Sequence, residues 1–256
     1  MNKLKQQLNT GKVSIGAWLQ IGHTACAEIL ASSGYDWVCV DLEHAPIDIS
    51  MMTNIFTAIE RHKCVPIVRV PENDTLWIRR CLDAGAKGII VPLVNTAEQA
   101  EKAVSATKYP PEGVRGIGYC RANNYGAEFD SYIKTANGDT AIILQIEHIE
   151  AINNLEEILS VKGIDAVFIG PLDLTGSMGI TGELENQLFK NALAKFLLSC
   201  KKYHIPAGIH LIKRDEKNIK NALENGYQFI AMGLDTVFLR NGAEKALTIS
   251  AMFSNN

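Results

Sequence analysis

The sequence predicts a single-domain (β/α)₈ barrel, also called a TIM barrel, over residues 1–256. Eight short runs rich in Val, Ile and aromatic residues alternate with segments of helical periodicity, and several runs are almost continuously apolar. The predicted strands are 13–18, 36–41, 65–70, 88–92, 141–147, 165–170, 206–211 and 227–233. The predicted helices are 26–33, 50–61, 74–84, 97–107, 151–160, 186–203, 216–224 and 243–252.

The apolar character of the strands favours a parallel sheet. Continuous apolar runs are typical of parallel strands that are covered on both faces. Glycine, a common residue just after a helix, stands between a helical pattern and the next strand at Gly34, Gly85, Gly163 and Gly226. An open, doubly wound sheet of the same units is the alternative. The first predicted strand is not followed by Gly-x-Gly-x-x-Gly, which disfavours that alternative.

Composition excludes several classes of function. The formal net charge is −3, so the chain lacks the cationic field that binds a phosphate backbone, and we expect no nucleic-acid partner. No apolar stretch approaches the roughly 20 residues that span a bilayer, so we expect no membrane insertion. The first residues show no apolar leader, and the six cysteines form no Cys-x-x-Cys pair. We therefore expect a cytoplasmic protein with reduced thiols.

One segment interrupts the alternation of strands and helices. Residues 108–140 are rich in Pro, Gly and Asn and show no clear periodicity. A long irregular insertion inside a compact domain is more often functional than idle. We expect this segment near the active face, as a cap or a subunit contact.

Most residues at or just after the carboxyl ends of the predicted strands are polar, and barrel enzymes place their active sites at these ends. If the barrel closes, all of these residues meet at one mouth. They are Trp18 and the adjoining Gln20, then Asp41 and His44, Arg69, Gln145 with Glu147, and Gly170 with Asp173.

Two carboxylates, Glu147 and Asp173, end neighbouring predicted strands. Two acids in a partly dry mouth repel each other unless a cation lies between them. Oxygen ligands with positions left for water and substrate suit Mg²⁺ or Mn²⁺ better than structural zinc. Ordinary solvated acids at each strand end are the alternative.

His44 and Arg69 have the chemistry of a base and an oxyanion partner. Asp41 lies three residues before His44, so its carboxylate could fix the imidazole tautomer of a general base. A histidine bonded to nearby backbone is the alternative. Arg69 ends an apolar strand, and a buried guanidinium needs an anion, which is either a substrate oxyanion or a structural salt-bridge partner.

Lysine is missing where imine chemistry needs it. An imine-forming aldolase requires a desolvated lysine that projects from a strand into the barrel. None of the eight predicted strands contains a lysine. Imine catalysis is therefore disfavoured.

Taken together, five motifs resemble the HpcH/HpaI family of class II, metal-dependent pyruvate aldolases, such as 4-hydroxy-2-oxoheptanedioate aldolase. The likeness extends from about Gly16 to Asp235, with the motifs in the order of the family. It implies a (β/α)₈ barrel, a hexamer, and a last helix exchanged between subunits. The motifs are DLEHAP at 41–46, VRVP at 68–71, KYPPEGVRG at 108–116, QIE at 145–147 and FIGPLDL at 168–174.

The resemblance also implies a role for each matching residue. Glu147 and Asp173 would hold Mg²⁺ or Mn²⁺, with Co²⁺ as a third candidate, and the metal would be chelated by pyruvate. His44, aided by Asp41, would be the base, and Arg69 would stabilise the enolate oxygen. Asp83 would raise the basicity of the histidine, and because it ends a predicted helix at the rim opposite the mouth, we expect it to act across a subunit interface. The expected substrate contacts are Gln145, the Gly170 turn, the backbone at Leu172 and Asp173, and the mouth residues Trp18 and Leu211.

The implied reaction is cleavage of a 4-hydroxy-2-oxo acid to pyruvate and an aldehyde. Two residues depart from the family pattern, because Leu172 stands where alanine is usual and His148 where a small or hydroxyl residue is usual. Either departure could change the electrophile. The alternatives are a related enolate-forming lyase or synthase that uses an oxo acid or a CoA thioester, oxaloacetate decarboxylation, and a non-catalytic barrel that binds a keto acid.

Overall fold

A computed structural model describes residues 2–211 and 215–254 and shows a closed barrel of eight parallel strands in chain order. Each strand pairs with the next, and β1 closes the barrel against β8. The predicted fold class is confirmed. The strands are β1 Ser14–Leu19, β2 Trp37–Asp41, β3 Val65–Arg69, β4 Gly88–Val91, β5 Ala141–Ile146, β6 Ala166–Ile169, β7 Ala207–Leu211 and β8 Phe229–Leu234.

Helices surround the barrel, and those predicted from periodicity lie within a few residues of their expected bounds. The predicted helix 151–160 is two short helices, and the last helix begins eight residues earlier than expected, at Asp235. The helices are α1 Lys3–Asn9, α2 Thr24–Ser32, α3 Ile49–Glu60, α4 Thr75–Asp83, α5 Ala97–Thr107, α6 Phe129–Asp139, α7 Ile149–Asn153, α8 Leu155–Ser160, α9 Pro171–Ser177, α10 Gln187–Tyr203, α11 Glu216–Glu224 and α12 Asp235–Ser254. Within residues 2–211 and 215–254, no helix is both long and apolar enough to cross a membrane.

Successive strand residues point alternately into the barrel and towards the helices. The inward residues build an aromatic floor, in which Trp37 stacks on Phe229 at 4.3 Å and Trp18 stacks on Phe168 at 5.4 Å between ring centroids. Gly16 leaves the space that the Trp37 ring fills, since a Cβ atom there would overlap the ring. This floor fills the barrel below its mouth, so ligands can enter only above Trp18.

The opposite end of the barrel is closed by α1, which the sequence analysis missed. Leu4 and Leu8 lie one helical turn apart, are buried, and belong to the same hydrophobic cluster as the barrel interior. Lys5 donates to Asp165 at 3.0 Å and anchors the helix to the start of β6. Two leucines in a polar heptapeptide are a weak periodic signal, and packing on the barrel stabilises the helix.

The segment 108–140 is not where the sequence analysis expected it. It runs from the end of α5 to the start of β5, so it lies at the rim opposite the mouth of its own barrel. There the Arg121 guanidinium pairs with Glu60 and donates to the carbonyl of Ala84 at 3.1 Å, at the carboxyl ends of α3 and α4. The segment is also not irregular throughout, since it contains a 3₁₀ turn at Arg121–Gly126 and α6. Within its own barrel the segment therefore does not lie near the active face, and its expected part in a subunit contact stays a prediction.

Candidate active site

The mouth of the barrel is organised around a buried ion pair. Asp41 and Arg69 are the last residues of β2 and β3, lie directly opposite each other in register, and both point inward. The guanidinium is held in a fork, with Nε 2.9 Å from Oδ1 and Nη2 2.7 Å from Oδ2 of Asp41. Its Cζ lies 5.3 Å from the centroid of the Trp18 ring below. Arg69 therefore has a fixed position between the aromatic floor and the mouth.

The Asp41 carboxylate is saturated with donors. It accepts from Gln20 Nε2 at 2.8 Å and from the backbone N–H of Glu43 at 3.1 Å, besides the two bonds from Arg69. Burial alone would raise the pKa of Asp41, but the hydrogen bonds and charge of Arg69 outweigh it and leave the pKa lowered. Asp41 is therefore a fixed anion that orients Arg69.

His44 differs from the sequence prediction in its partner. From His44, Asp41 accepts a hydrogen bond only from the backbone N–H, at 3.4 Å. The expected contact between Asp41 and the imidazole is therefore not formed. The acid that faces the ring is Glu43, whose Oε2 lies 3.7 Å from Nε2 of His44. The side chain of His44 is 58% exposed, which leaves it accessible to a ligand in the mouth.

Glu43 was missed by the sequence analysis, although it lies inside the DLEHAP motif. Its Oε2 contacts both Arg69 Nη1, at 2.9 Å, and the His44 ring. The pKa of Glu43 is raised overall, and burial is the largest cause. The charges of Asp41 and Asp173 also raise it, whereas those of Arg69 and His44 lower it. Strand alternation could not assign Glu43, because the residue follows the end of β2. It links the base candidate to the guanidinium.

Glu147 is a buried acid on the other side of the mouth, 3% exposed. Its Oε1 accepts the backbone N–H of Leu93 at 2.8 Å, and its Oε2 accepts from Nε2 of Gln145. Burial raises the pKa of Glu147, against the effect of these two hydrogen bonds, and the charges of Glu43 and Asp173 raise it further. Gly170 is packed against this carboxylate, since a Cβ atom there would lie 2.7 Å from Oε2.

Asp173 does not end a strand as predicted. It is the third residue of the short helix α9, which follows β6, and it is exposed. Its charge nevertheless acts on both Glu43 and Glu147. The structure therefore brings the two predicted metal ligands to the same mouth, from β5 and from the turn after β6.

The donors at the mouth fit a hard divalent cation. Three carboxylates repel one another here, and the buried Oε1 atom of Gln145 has no hydrogen-bond partner among the described residues. Oxygen ligands of this kind suit Mg²⁺ or Mn²⁺. Within the described part of the chain, no group of three or more His, Cys, Asp or Glu side chains could hold a metal ion. A cation at Glu147 and Asp173 would thus need oxygen ligands from substrate or water.

The three other expected substrate contacts have different placements. Trp18 is 2% exposed and supports Arg69 from below. Leu172 is 53% exposed in the first turn of α9. Leu211 belongs to the outer hydrophobic cluster, between the barrel and its helices. Its expected contact with substrate stays a prediction, and the inward position near the end of β7 is one residue earlier.

That inward position holds His210, which the sequence analysis missed. Its ring stacks on Trp18 with centroids 5.1 Å apart and planes 23° apart. Gly208, two residues before it, faces the rings of Phe168 and Phe229 and so confirms that this parity points into the barrel. The alternation of β7 was the available signal, since Gly208 and His210 share one face.

Asp83 and His148 lie away from the centre of the mouth. Asp83 ends α4 at the opposite rim, where its Oδ1 pairs with Nη2 of the buried Arg115 at 2.7 Å. It is not brought to the site of its own barrel. His148 caps α7, and its Nδ1 accepts the backbone N–H of Glu150 at 3.1 Å. That bond holds His148 as a helix cap.

Comparison with known proteins places this geometry among aldolases. The profile of the HpcH/HpaI aldolase/citrate lyase family matches residues 14–242. A 4-hydroxy-2-oxovalerate aldolase from Novosphingobium aromaticivorans is 41% identical over 96% of this chain and 94% of its own length. A 4-hydroxy-2-oxo-heptane-1,7-dioate aldolase from Shigella flexneri is 37% identical over 100% of this chain and 94% of its own.

Solved structures give the same result. A family protein from Burkholderia cenocepacia superposes with a TM-score of 0.94 at 34% identity, covering 98% of this chain and 100% of its own. A citrate synthase superposes with a TM-score of 0.88 at 27% identity, covering 99% of both chains. The barrel fold is thus shared with proteins that have different names for their reactions.

Replacing Asp41 by Asn should destabilise the fold by about 3–5 kcal/mol at neutral pH, because Arg69 loses its buried counter-ion. The lowered pKa of Asp41 means that its ionisation stabilises the fold fully above the unfolded value of about 3.9, and that this stabilisation is lost as the pH falls through the folded value. Urea unfolding at pH 7, 5 and 3.5 measures the difference.

The matched control is Asp130→Asn, an exposed acid in α6. We expect it to change stability by less than about 0.5 kcal/mol at each pH. An Asp41→Asn protein as stable as this control at pH 7 would contradict the role given to the ion pair.

Proposed function

Because the chain belongs to the HpcH/HpaI aldolase/citrate lyase family, we propose that it is a divalent-metal-dependent aldolase that cleaves 4-hydroxy-2-oxo acids to pyruvate and an aldehyde. The two relatives at 37% and 41% identity named above are aldolases, in agreement with the aldolase-type enzyme expected from the sequence. The observation that carries the proposal is the fixed Arg69 guanidinium facing the same mouth as the buried Glu147.

Glu147 and Asp173 would hold the metal, Mg²⁺ or Mn²⁺, with Co²⁺ as a further candidate. When bound, such an ion acts as a Lewis acid that lowers the energy of negative charge on a carbonyl oxygen. The buried position of Glu147, fixed by Leu93 and Gln145, supports its part in this role. The remaining ligand positions suit the carboxylate and keto oxygens of an oxo acid.

In the cleavage direction, His44 would take the proton of the C4 hydroxyl, directly or through a water, as the C3–C4 bond breaks. Exposure of its ring to the mouth supports this role, and Glu43 at 3.7 Å would stabilise the imidazolium that results. Asp41 would act indirectly, because its hydrogen bonds hold Arg69 and the backbone of Glu43 and His44 in place.

Arg69 would stabilise the charge that develops on the C2 oxygen. A guanidinium has five N–H groups, and Asp41 accepts two of them, which leaves three for Glu43 and the substrate. The guanidinium is already oriented by Asp41 and Trp18, so it needs no reorganisation as the charge forms. Gln145, the Gly170 turn, and the backbone N–H groups of Leu172 and Asp173 would bind the rest of the oxo acid.

We also propose a homo-oligomer, with a hexamer as the specific form. The last helix, α12, leaves Leu239 and Leu247 mostly exposed, which supports its exchange with a neighbouring subunit. Asp83, at the rim opposite its own mouth, would then act in the site of a neighbour. The exposed Val114 and Ile117 on the same rim support a subunit contact there.

The structural likeness to a citrate synthase supports one second candidate. The same enolate chemistry would serve condensation with an oxo acid or a CoA thioester, or decarboxylation of oxaloacetate. The exposed Leu172 beside Asp173 is the residue on which such a change of electrophile would depend.

Pyruvate release from a panel of 4-hydroxy-2-oxo acids and oxaloacetate, coupled to lactate dehydrogenase, tests the reaction. We expect turnover that a chelator abolishes and Mg²⁺ or Mn²⁺ restores. Replacing Glu147 by Gln should lower kcat/KM at least about 10²-fold, because the amide keeps the shape of the side chain but loses its charge.

Glu157→Gln, an exposed acid in α8, is the matched control and should keep full activity. If folded, metal-loaded protein released no pyruvate from any compound, the aldolase proposal would be wrong and condensation would become the leading candidate. Release from oxaloacetate alone would select decarboxylation.

The subunit role of Asp83 is tested by mixing two inactive variants. Asp83→Asn and Glu147→Gln chains, co-expressed with different tags and purified on both tags, form mixed oligomers. If Asp83 acts in a neighbour's site, about a quarter of the sites combine an intact Glu147 with an intact Asp83, and activity returns to that extent.

If Asp83 acts only within its own chain, no mixed site is complete and the mixture stays inactive. Full activity of the Asp83→Asn protein alone, with an unchanged pH profile, would show that Asp83 has no role in catalysis.

A further inference from the structure

His210 is a half-buried histidine in the barrel that the proposed mechanism does not use. It stands near the end of β7 on the inward face, and its ring covers Trp18, the residue that also supports Arg69. The charges of Arg69 and Asp41 both act on it. His210 therefore lies beside the central ion pair, at the level where the aromatic floor meets the mouth.

The hydrogen bonds of His210 define which ring nitrogen has no partner. Its Nε2 is buried and has no hydrogen-bond partner among the described residues. The ring bonds instead to the backbone of Gly233, and because Nε2 has no partner, Nδ1 is the donor to that carbonyl. Gly233 has a left-handed φ of +93° and lies where the register between β1 and β8 shifts. Such a bulge frees a carbonyl from the strand ladder.

A proton on Nδ1 leaves Nε2 as a bare acceptor. Burial lowers the pKa of His210 from 6.5 to about 4, so the ring is neutral at physiological pH. A buried acceptor without a donor is costly, and a ligand that supplies the donor gains the corresponding free energy. This acceptor is too weakly basic to take a proton at neutral pH, so it is suited to binding and not to base catalysis.

The chemistry of the proposed substrates leaves one donor for Nε2. The carboxylate and keto oxygens of a 2-oxo acid can only accept, whereas a hydroxyl can donate. We propose that Nε2 of His210 accepts a hydrogen bond from a hydroxyl of the bound substrate, and that His210 thereby selects hydroxylated over non-hydroxylated substrates. This inference rests on the proposed function, since it assigns a specificity residue to the same site.

The hydroxyl can stand on either reactant, and matched pairs distinguish the two. In the synthesis direction, hydroxypyruvate is compared with pyruvate at a fixed aldehyde, and glycolaldehyde is compared with acetaldehyde at fixed pyruvate. Each pair differs by one hydroxyl. We expect His210→Leu to lower kcat/KM for the hydroxylated member of one pair by about five- to tenfold relative to its partner.

His210→Gln, which keeps an acceptor at the same depth, should restore part of that preference. His204→Asn is the control, because His204 is an exposed histidine with a left-handed φ of +56° that asparagine tolerates. It should leave both preferences as in the wild type. Circular dichroism and thermal unfolding confirm that each variant is folded.

A binding measurement keeps the inference separate from the proposed function. In ¹⁵N-histidine-labelled wild type, the Nε2 resonance of His210 should shift with the hydroxylated ligand of the selected pair and stay in place with its partner. A wild type that binds in this way without turnover would refute the aldolase proposal and support the acceptor role. Unchanged preferences in both pairs, or an Nε2 resonance that no ligand shifts, would overturn the role of His210.

Discussion

The structure of the mouth depends on one buried guanidinium. Arg69 can be removed from water only because Asp41 accepts two of its hydrogen bonds, Glu43 lies 2.9 Å from it, and Trp18 supports its face. Once Arg69 is fixed, the neighbouring groups are fixed as well. Asp41 accepts hydrogen bonds from the backbone of Glu43 and His44, and the Trp18 ring stacks on the ring of His210. The barrel thus presents a prearranged positive group above an apolar floor.

The same mouth contains more negative than positive charge. Burial raises the pKa of both Glu43 and Glu147, the charge of Asp173 raises both further, and a single guanidinium does not neutralise the three acids. An oxo acid would add a further carboxylate. A divalent cation removes this conflict, which is the physical reason to place one at Glu147 and Asp173. Electrostatics and the proposed enolate chemistry therefore both favour a divalent cation at this mouth.

The sequence predicts the barrel well because strand and helix periods are local properties. It also predicts Asp41, Arg69, Gln145 and Glu147 at the mouth, since all four lie on or directly after strands whose alternation is readable. Prediction fails where loops decide the geometry. Glu43 and Asp173 follow strand ends, and only the folded chain shows that one faces His44 and the other begins a helix.

Other errors have equally specific causes. His210 was missed because the side of a strand reverses with each residue, and the prediction considered only its neighbour Leu211, which packs outward. The segment 108–140 was assigned to the mouth because of its composition, whereas its place between a helix end and a strand start puts it at the other rim. α1 was missed because two leucines gain their stability only by closing the barrel.

The central claim is that this mouth stabilises a pyruvate enolate, and hydrogen exchange tests it without any assumption about the aldehyde. Pyruvate is incubated in D₂O with the enzyme and Mg²⁺, and deuterium in its methyl group is followed by mass spectrometry. The account predicts exchange well above the enzyme-free rate that stops when a chelator is added. A folded, Mg²⁺-loaded enzyme that leaves the methyl protons unexchanged would contradict it.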